Sequence, residues 1–156
     1  MADVDWFLAL NQDPQVMEFA LRKDLSDEDI VQMIEQSVQS HTLRGYGLRG
    51  CFLKDTQTPV GFCGVCLREL EDLVVPELGY RLFPKFWFQG YATEAALAVM
   101  KDALERLKFP QLFSFIRPEN TRSIRVAEKI GERFAFHATA NGVQIAVYTA
   151  MPQAPG

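Results

Sequence analysis

Residues 86–95 read Phe86-Trp87-Phe88-Gln89-Gly90-Tyr91-Ala92-Thr93-Glu94-Ala95, and this stretch decides how the rest of the chain is interpreted. It leads from an alternating segment at 77–82, typical of a strand, into apolar residues at helical spacing that predict a helix over 91–108. A glycine at such an entrance lets the backbone approach a ligand, and free amides of the first helical turn bind anions such as phosphate. The Gly-Lys-Ser/Thr ending of a P-loop is missing. On its own, a single glycine here is more often only a tight turn.

Upstream of this stretch, the pattern predicts two helices followed by strands. The first helix covers about residues 3–11. Ser26 and Asp29 have the spacing of a capping box, which starts a second helix that we expect to end near residues 41–42. The next two predicted strands flank a polar turn and cover residues 50–54 and 60–69.

Downstream, residues 112–116 are apolar on both faces, which predicts a strand in the interior of a sheet. Asn120 as N-cap and Gly131 as a left-handed C-terminal residue delimit a short helix. The last two strands, about 134–139 and 143–150, are joined by Asn141-Gly142, a strong hairpin signal.

This order of elements predicts a mixed α/β (α+β) architecture. The strands at 77–82 and 112–116 are connected through a helix, so we expect them to be parallel neighbours, and the remaining strands to be antiparallel. With 156 residues and no linker or repeat, we expect one domain over residues 1–156.

Composition and charge argue against several classes of function. The formal net charge is −4, and no basic run points to nucleic acid. No apolar stretch approaches the roughly 18 to 20 residues that span a bilayer, and the acidic start does not fit a signal peptide. Three cysteines are an odd number, and the two histidines are far apart, so neither a disulfide framework nor a metal site is predicted. We therefore expect a cytoplasmic protein that binds neither nucleic acid nor membrane.

Two further motifs flank residues 86–95 in a fixed order. The first is Glu77-Leu78-Gly79-Tyr80, and the second runs from Arg117-Pro118-Glu119-Asn120 through Ser123 to Lys129-Ile130-Gly131. Together the three motifs resemble the GNAT superfamily of N-acetyltransferases, and most closely its RimJ/RimL-like branch. The resemblance covers residues 77–131. It implies a mixed central sheet with two splayed parallel strands and about four flanking helices.

The resemblance also implies acetyl-CoA as co-substrate, bound between the two splayed strands. The pantetheine arm would follow the backbone of Tyr80, Arg81 and Leu82, while Asn120 and Ser123 would reach the thiol end. The pyrophosphate would lie on the loop and first helical turn, formed by Phe88, Gln89, Gly90, Tyr91, Ala92 and Thr93.

The chain departs from the family pattern in two places. Phe88 stands where the branch has a glycine, so either its ring turns outward or pyrophosphate binding is weakened. GNAT domains also begin with a strand, and none is predicted before the first helix. The first strand of the sheet is therefore missing, supplied by another subunit, or absent from a shortened start.

The implied reaction is direct attack of an amine on the thioester. Glu77, at the entrance of its strand, is the candidate general base and would act through a water molecule. An equally supported interpretation is that Glu77 is only a solvated carboxylate at the end of a strand. Many family members protonate the leaving thiolate with a tyrosine of the fourth helix, but Ala127 occupies that position. Ser123 is the substitute candidate, although it could simply cap the helix.

The acceptor is expected to be a protein N-terminal α-amine or a small-molecule amine. The first two helices, their connecting loop and the terminal hairpin should form its site. An alternative is a non-catalytic acyl-CoA-binding or regulatory module, and a pure protein-interaction domain is a third reading. We expect a monomer or a homodimer.

Overall fold

The computed structural model describes residues 2–154, which form a six-stranded sheet packed between helices. The helices are α1 (Ala2–Gln12), α2 (Asp27–Arg44), α3 (Tyr91–Lys101) and α4 (Thr121–Lys129). The strands are β1 (Leu48–Phe52), β2 (Pro59–Leu70), β3 (Leu73–Leu82), β4 (Leu112–Ile116), β5 (Arg133–Ala140) and β6 (Val143–Ala150).

The sheet has the order β1-β2-β3-β4-β6-β5. Only β3 and β4 pair in parallel among the described strands, and every other pair is antiparallel. This confirms the predicted parallel pair, the interior position of β4 and the terminal hairpin. Asn141 and Gly142 form that hairpin turn with left-handed φ values of 51° and 74°.

The helices cover opposite faces of the sheet. Phe7 and Leu10 of α1 and Ile30 of α2 pack against Phe62 of β2. The next residue, Cys63, packs with Ala96 of α3 on the other face, because successive side chains of a strand alternate. Residues at the end of α4 join this second cluster.

Local signals place the helix ends. Ser26 and Asp29 exchange both hydrogen bonds of the predicted capping box. The second helix nevertheless extends to Arg44, beyond the predicted end near 41–42, because left-handed Gly45 (φ 81°) is the residue that stops it. At α4, Asn120 is the N-cap and Gly131 has a φ of 98°, as predicted.

Three further predicted bounds are wrong. The helix predicted over 91–108 is regular only to Lys101, and Asp102–Arg106 forms a π-helical turn in which Leu107 N–H donates to the carbonyl of Asp102 at 3.0 Å. The strand predicted over 50–54 is β1, two residues earlier. The strand predicted to begin at residue 77 begins at Leu73, because residues 73–76 continue the antiparallel ladder with β2.

Within residues 2–154, no strand precedes β1, which is one edge of the sheet, while β5 is the other. None of the helices in this part of the chain has the length and apolar character of a membrane span. The same residues contain no group of three or more potential metal ligands among His, Cys, Asp and Glu.

Candidate active site

A cleft opens between the two parallel strands. In the described chain, β3 and β4 share one register pair, Glu77 with Phe113, and beyond it no pair joins them. The cleft has a volume of about 1060 Å³, and its walls include residues 78–82 of β3 and 114–116 of β4. Divergence of the strands leaves the β4-facing side of the β3 backbone without a ladder partner, and such groups bind ligand amides.

The cleft brings together most of the residues that the sequence singled out. Its lining includes Glu77, Tyr80, Arg81, Leu82, Phe88, Gly90, Tyr91, Ala92, Thr93, Asn120 and Ser123. Gln89 does not line it, and its side-chain amide instead donates to the carbonyl of Lys85 at 2.7 Å. Only the backbone of Gln89 is therefore available to bind a ligand in the cleft.

The loop before α3 is open toward the cleft. Gly90 is the N-cap with a φ of 85°, no side chain caps the helix, and a Cβ at Gly90 would meet no atom within 4 Å. Phe88 also adopts a left-handed φ of 61°, and its side chain is 84% exposed. The ring thus turns outward, which is one of the two outcomes expected for this departure from the family pattern.

Basic side chains border the loop. The guanidinium carbon of Arg122 lies 3.6 Å above the ring centroid of Trp87, whose indole N–H donates to the Leu82 carbonyl at 2.9 Å. Arg125 and Lys129 also line the cleft. These three residues were not predicted from the sequence, although their spacing of three and four along α4 indicates one shared helix face.

A hydrogen-bonded cluster joins β3 to the start of α4. The Tyr80 hydroxyl donates to Ser123 Oγ at 3.2 Å, and the Asn120 amide donates to the same oxygen at 3.1 Å. Burial raises the pKa of Tyr80 to about 12, so its hydroxyl stays protonated. Ala127 of α4 is buried against Ile116 and offers no phenol. The phenol on this side of the cleft is that of Tyr80, which comes from β3 rather than from α4.

Glu77 is neither at a strand entrance nor solvated, which corrects both sequence readings of its surroundings. It lies in mid-strand with its side chain 12% exposed, and Arg68 Nε donates to its Oε2 at 2.8 Å. Burial raises the pKa of Glu77, while the charges of Arg68 and Arg81 oppose the rise. Register places Glu77 on the opposite sheet face from Tyr80.

Arg81 connects the cleft to the first helix. Its Nη1 donates to Oδ1 of buried Asn11 at 2.5 Å, and the Asn11 amide in turn donates to the carbonyl of Phe7. Burial lowers the pKa of Arg81 to about 10, and neighbouring Arg68 adds to this effect. In the sequence, Asn11 is a polar residue on an otherwise apolar helix face, a pattern that indicates a buried hydrogen-bond partner for its side chain.

A second buried carboxyl lies in the cleft wall and was missed from sequence. Glu132 is only 3% exposed, and Ser114 Oγ donates to its Oε1 at 2.7 Å. Its Oε2 is buried without a hydrogen-bond partner in the described residues. Burial raises the pKa of Glu132 to about 7, and the nearby charge of Glu77 contributes. In sequence, a glutamate after Gly131 is typical of a solvated turn.

The expected acceptor elements partly line the cleft. Residues of α2, of the loop before it and of the hairpin tip contribute, including Asp29, Leu21 and Asn141. The Asn141 amide donates to the Leu21 carbonyl at 3.1 Å and so ties the hairpin to that loop. The first helix, which was expected to take part, supplies Asn11 as a support behind Arg81 rather than a lining residue.

Known proteins resemble this chain in sequence. The family model described as "Acetyltransferase (GNAT) domain" matches residues 1–133. The Bacillus subtilis protein YkkB, itself uncharacterised, is 36% identical over 107 residues, which cover 67% of this chain and 62% of that protein. The chain thus matches about three fifths of that relative's length.

Solved structures have the same fold. An acetyltransferase from Agrobacterium tumefaciens is 25% identical, with a TM-score of 0.83 over 97% of this chain and 86% of the other. The aminoglycoside acetyltransferase AAC(6')-Ib, solved with coenzyme A and kanamycin, is 14% identical, with a TM-score of 0.77 over 96% and 90%. The family-model match, which spans most of the chain, shows that this protein belongs to the GNAT acetyltransferase family.

Proposed function

We propose that this protein transfers the acetyl group of acetyl-CoA directly to a primary amine. The observation that carries the proposal is the cleft between β3 and β4, with its uncapped helix start and its buried polar groups at the closed end. Binding of acetyl-CoA is supported by the family and by the coenzyme A bound to AAC(6')-Ib.

The residues of the cleft fit the chemical parts of acetyl-CoA. Pantetheine amides need backbone partners, and the diverging edge of β3 at 78–82 offers them. The pyrophosphate needs amides and positive charge, which the first turn of α3 and Arg122 supply. Asn120 and Ser123 are the proposed contacts at the thiol end. The co-substrate supplies an activated acyl group, so no covalent enzyme intermediate is needed.

Glu77 is the proposed base. An amine attacks only when neutral, and a lysine ammonium of ordinary pKa costs roughly 4–5 kcal/mol to deprotonate at neutral pH, whereas an α-amine costs much less. Glu77 lies at the closed end of the cleft, where it can take that proton through a water molecule. Arg68 orients its carboxylate.

Ser123 is the proposed hydrogen-bond donor to the leaving sulfur. Its Oγ already accepts hydrogen bonds from Tyr80 and Asn120, so its own proton remains free to point into the cleft. The acceptor is proposed to be an N-terminal α-amine or a small-molecule amine, bound on the α2 side of the sheet. We also propose a cytoplasmic location and a monomeric or homodimeric state.

Acetylation of a defined panel tests this proposal. Purified protein is incubated with acetyl-CoA and, separately, a peptide with a free N-terminal serine, spermidine or kanamycin, and acetylated products are measured by mass spectrometry. Glu77→Gln and Ser123→Ala should each lower kcat about tenfold or more, whereas the exposed helix residue Glu35, changed to Gln, should leave it unchanged.

Two results would count against the proposal. If neither variant lowers kcat about tenfold, the roles of Glu77 and Ser123 are wrong. If the wild type binds acetyl-CoA but acetylates no amine of a broad panel, the non-catalytic acyl-CoA-binding module is the better description.

A further inference from the structure

Two carboxyl groups occupy the closed end of the cleft, and the reaction proposed above uses only one of them. Glu77 lies on the α2 side of the sheet, paired with Arg68. Glu132 lies on the α4 side, bonded to Ser114, and has no assigned task. The inference about Glu132 that follows rests on the proposed acetyl transfer and extends it.

The position of Glu132 follows from its partner. Ser114 comes directly after Phe113, the residue that closes the cleft by pairing with Glu77. Ser114 points to the sheet face that carries Tyr80 and α4, because it alternates with Phe113 along the strand. The carboxyl of Glu132 therefore lies at the closed end, on the face where Ser123 is proposed to meet the thiol end.

The surroundings of Glu132 favour a neutral carboxyl. Among residues 2–154, no Lys, Arg or His lies within 4 Å of its oxygens to form an ion pair. Two titratable groups lie close enough for their charges to act on Glu132 or to be acted on by it: Glu77, which is acidic and on the other face of the sheet, and Tyr80, which stays protonated. Burial without a cation disfavours the carboxylate, and the partnerless Oε2 is the atom that would carry the proton.

We propose that the protonated carboxyl of Glu132 is the acid that neutralises the departing sulfur of coenzyme A. As the C–S bond of the thioester breaks, its electron pair goes to sulfur, and the proton on Oε2 moves to that sulfur. The products are a free thiol and a Glu132 carboxylate. The carboxylate then regains a proton from water or from the next acceptor ammonium, which balances the cycle.

A protonated carboxyl is better suited to protonate the departing sulfur than the Ser123 hydroxyl alone. An acid acts best when its pKa is near the working pH, a condition that Glu132 meets. Ser123 can stabilise the sulfur by a hydrogen bond, and Glu132 supplies the proton. The two residues thus have separable effects.

The first experiment observes the carboxyl itself and does not depend on turnover. Protein labelled with 13C at glutamate side-chain carboxyls is titrated from pH 4.5 to 9, free and saturated with acetyl-CoA. The Glu132 signal is the one missing from Glu132→Gln, and the exposed helix residue Glu128, changed to Gln, is the matched control. We expect a midpoint near pH 7 in the free protein and a rise of about one unit with acetyl-CoA, because the thioester excludes water.

The outcomes separate this inference from the proposed function. Failure of acetyl-CoA to bind overturns the proposed function, and the role of Glu132 with it. Binding with an unchanged Glu132 midpoint, or a free midpoint near that of an ordinary glutamate, overturns only the role of Glu132. Should Glu132→Gln not fold, Ser114→Ala is used instead, and loss of that hydrogen bond to the carboxylate should raise the midpoint further.

Kinetics with an amine acetylated in the panel give the second readout. We expect the kcat of the wild type to fall as the pH rises above about 8, where Glu132 of the acetyl-CoA complex loses its proton. Glu132→Gln should lower kcat about tenfold, abolish this fall and leave KM for acetyl-CoA within about twofold, while Ser123→Ala should keep the fall. A Glu132→Gln variant with wild-type kcat and pH profile would overturn the inference.

Discussion

Glu77 of β3 pairs in register with Phe113 of β4, and the two parallel strands diverge immediately beyond this pair. The pair closes one end of the cleft. Gly79, two residues further along β3, faces the same side as Glu77, and a Cβ placed there would meet no atom within 4 Å. The space above Gly79 is therefore part of the cleft rather than of the packed core.

Gly79→Val should block this space without harming the fold. Valine suits a strand, so the free energy of unfolding should be unchanged or raised by up to about 1 kcal/mol. Kd for acetyl-CoA, measured by calorimetry, should rise about tenfold, because the new side chain projects beside the thioester end. Thr139→Val, on exposed β5, is the control for adding valine to a strand. Unchanged affinity in Gly79→Val would show that the ligand does not lie here.

Phe88→Gly should not destabilise the protein, although it removes a large apolar side chain. A left-handed conformation costs a residue with a Cβ about 1 kcal/mol, and the exposed ring gains little from packing. Glycine removes that strain but increases the entropy of the unfolded chain by a similar amount. The free energy of unfolding in urea should thus be unchanged or rise by up to about 1 kcal/mol.

Phe134→Gly is the matched control for this change. Phe134 is also exposed, but it lies in β5 with ordinary φ and contacts the ring of Tyr148. Glycine there should lower the free energy of unfolding by about 1 kcal/mol or more. Equal losses in the two variants would show that the left-handed conformation of Phe88 is not strained.

Arg122→Ala should weaken acetyl-CoA binding in a salt-dependent way. Stacking on Trp87 holds the guanidinium beside the loop, where it can meet a phosphate. Kd should rise about tenfold at low ionic strength, and the difference from wild type should shrink toward about 0.5 M salt. Lys101→Ala removes one positive charge from α3 outside the cleft and should change Kd little. Equal effects of the two changes would mean that only net charge matters.

Glu132 should make stability depend on pH in a defined direction. Its pKa in the folded protein is about 7, above the ordinary 4.5, so the unfolded chain loses this proton first as the pH rises. The stabilising contribution of the protonated carboxyl is complete below pH 4.5 and is lost as the pH rises through 7. Over this window the loss amounts to roughly 3 kcal/mol.

Comparison with Glu132→Gln isolates this effect. The variant has no carboxyl to ionise, so its free energy of unfolding minus that of wild type should grow from pH 4.5 to 8 by up to about 3 kcal/mol. Urea unfolding at several pH values measures the difference. A difference that does not change with pH would contradict the burial of an uncompensated carboxyl at this position.

The parts of the fold that were predictable from sequence depend on local chemistry. The capping box of Ser26 with Asp29 and the Asn141-Gly142 turn are formed by residues close in sequence, and each appears where predicted. The order of elements then implied the parallel pair. The prediction missed the first four residues of β3, which include Pro76, a residue that cannot donate to a sheet ladder.

The side-chain contacts of the site were not predictable, because they depend on strand register and on helix docking. Tyr80 and Ser123 are 43 positions apart, and Ser114 and Glu132 are 18 apart. Whether a glutamate is solvated or buried depends on which elements cover it, and a sequence pattern does not show this for a residue just after a helix. The sequence motifs therefore predicted where the cleft lies, whereas the contacts of Arg122, Arg68 and Glu132 in it are seen only in the structure.

Calorimetric titration of the purified, folded protein with acetyl-CoA, with Gly90→Arg as the loop control, tests most directly whether this cleft binds the acetyl donor. Gly90 is left-handed and borders the open start of α3, so a large side chain there strains the loop and covers its amides. We predict binding of acetyl-CoA in the micromolar range that is lost in Gly90→Arg. A folded wild-type protein that does not bind acetyl-CoA would contradict the assignment of this cleft to the acetyl donor.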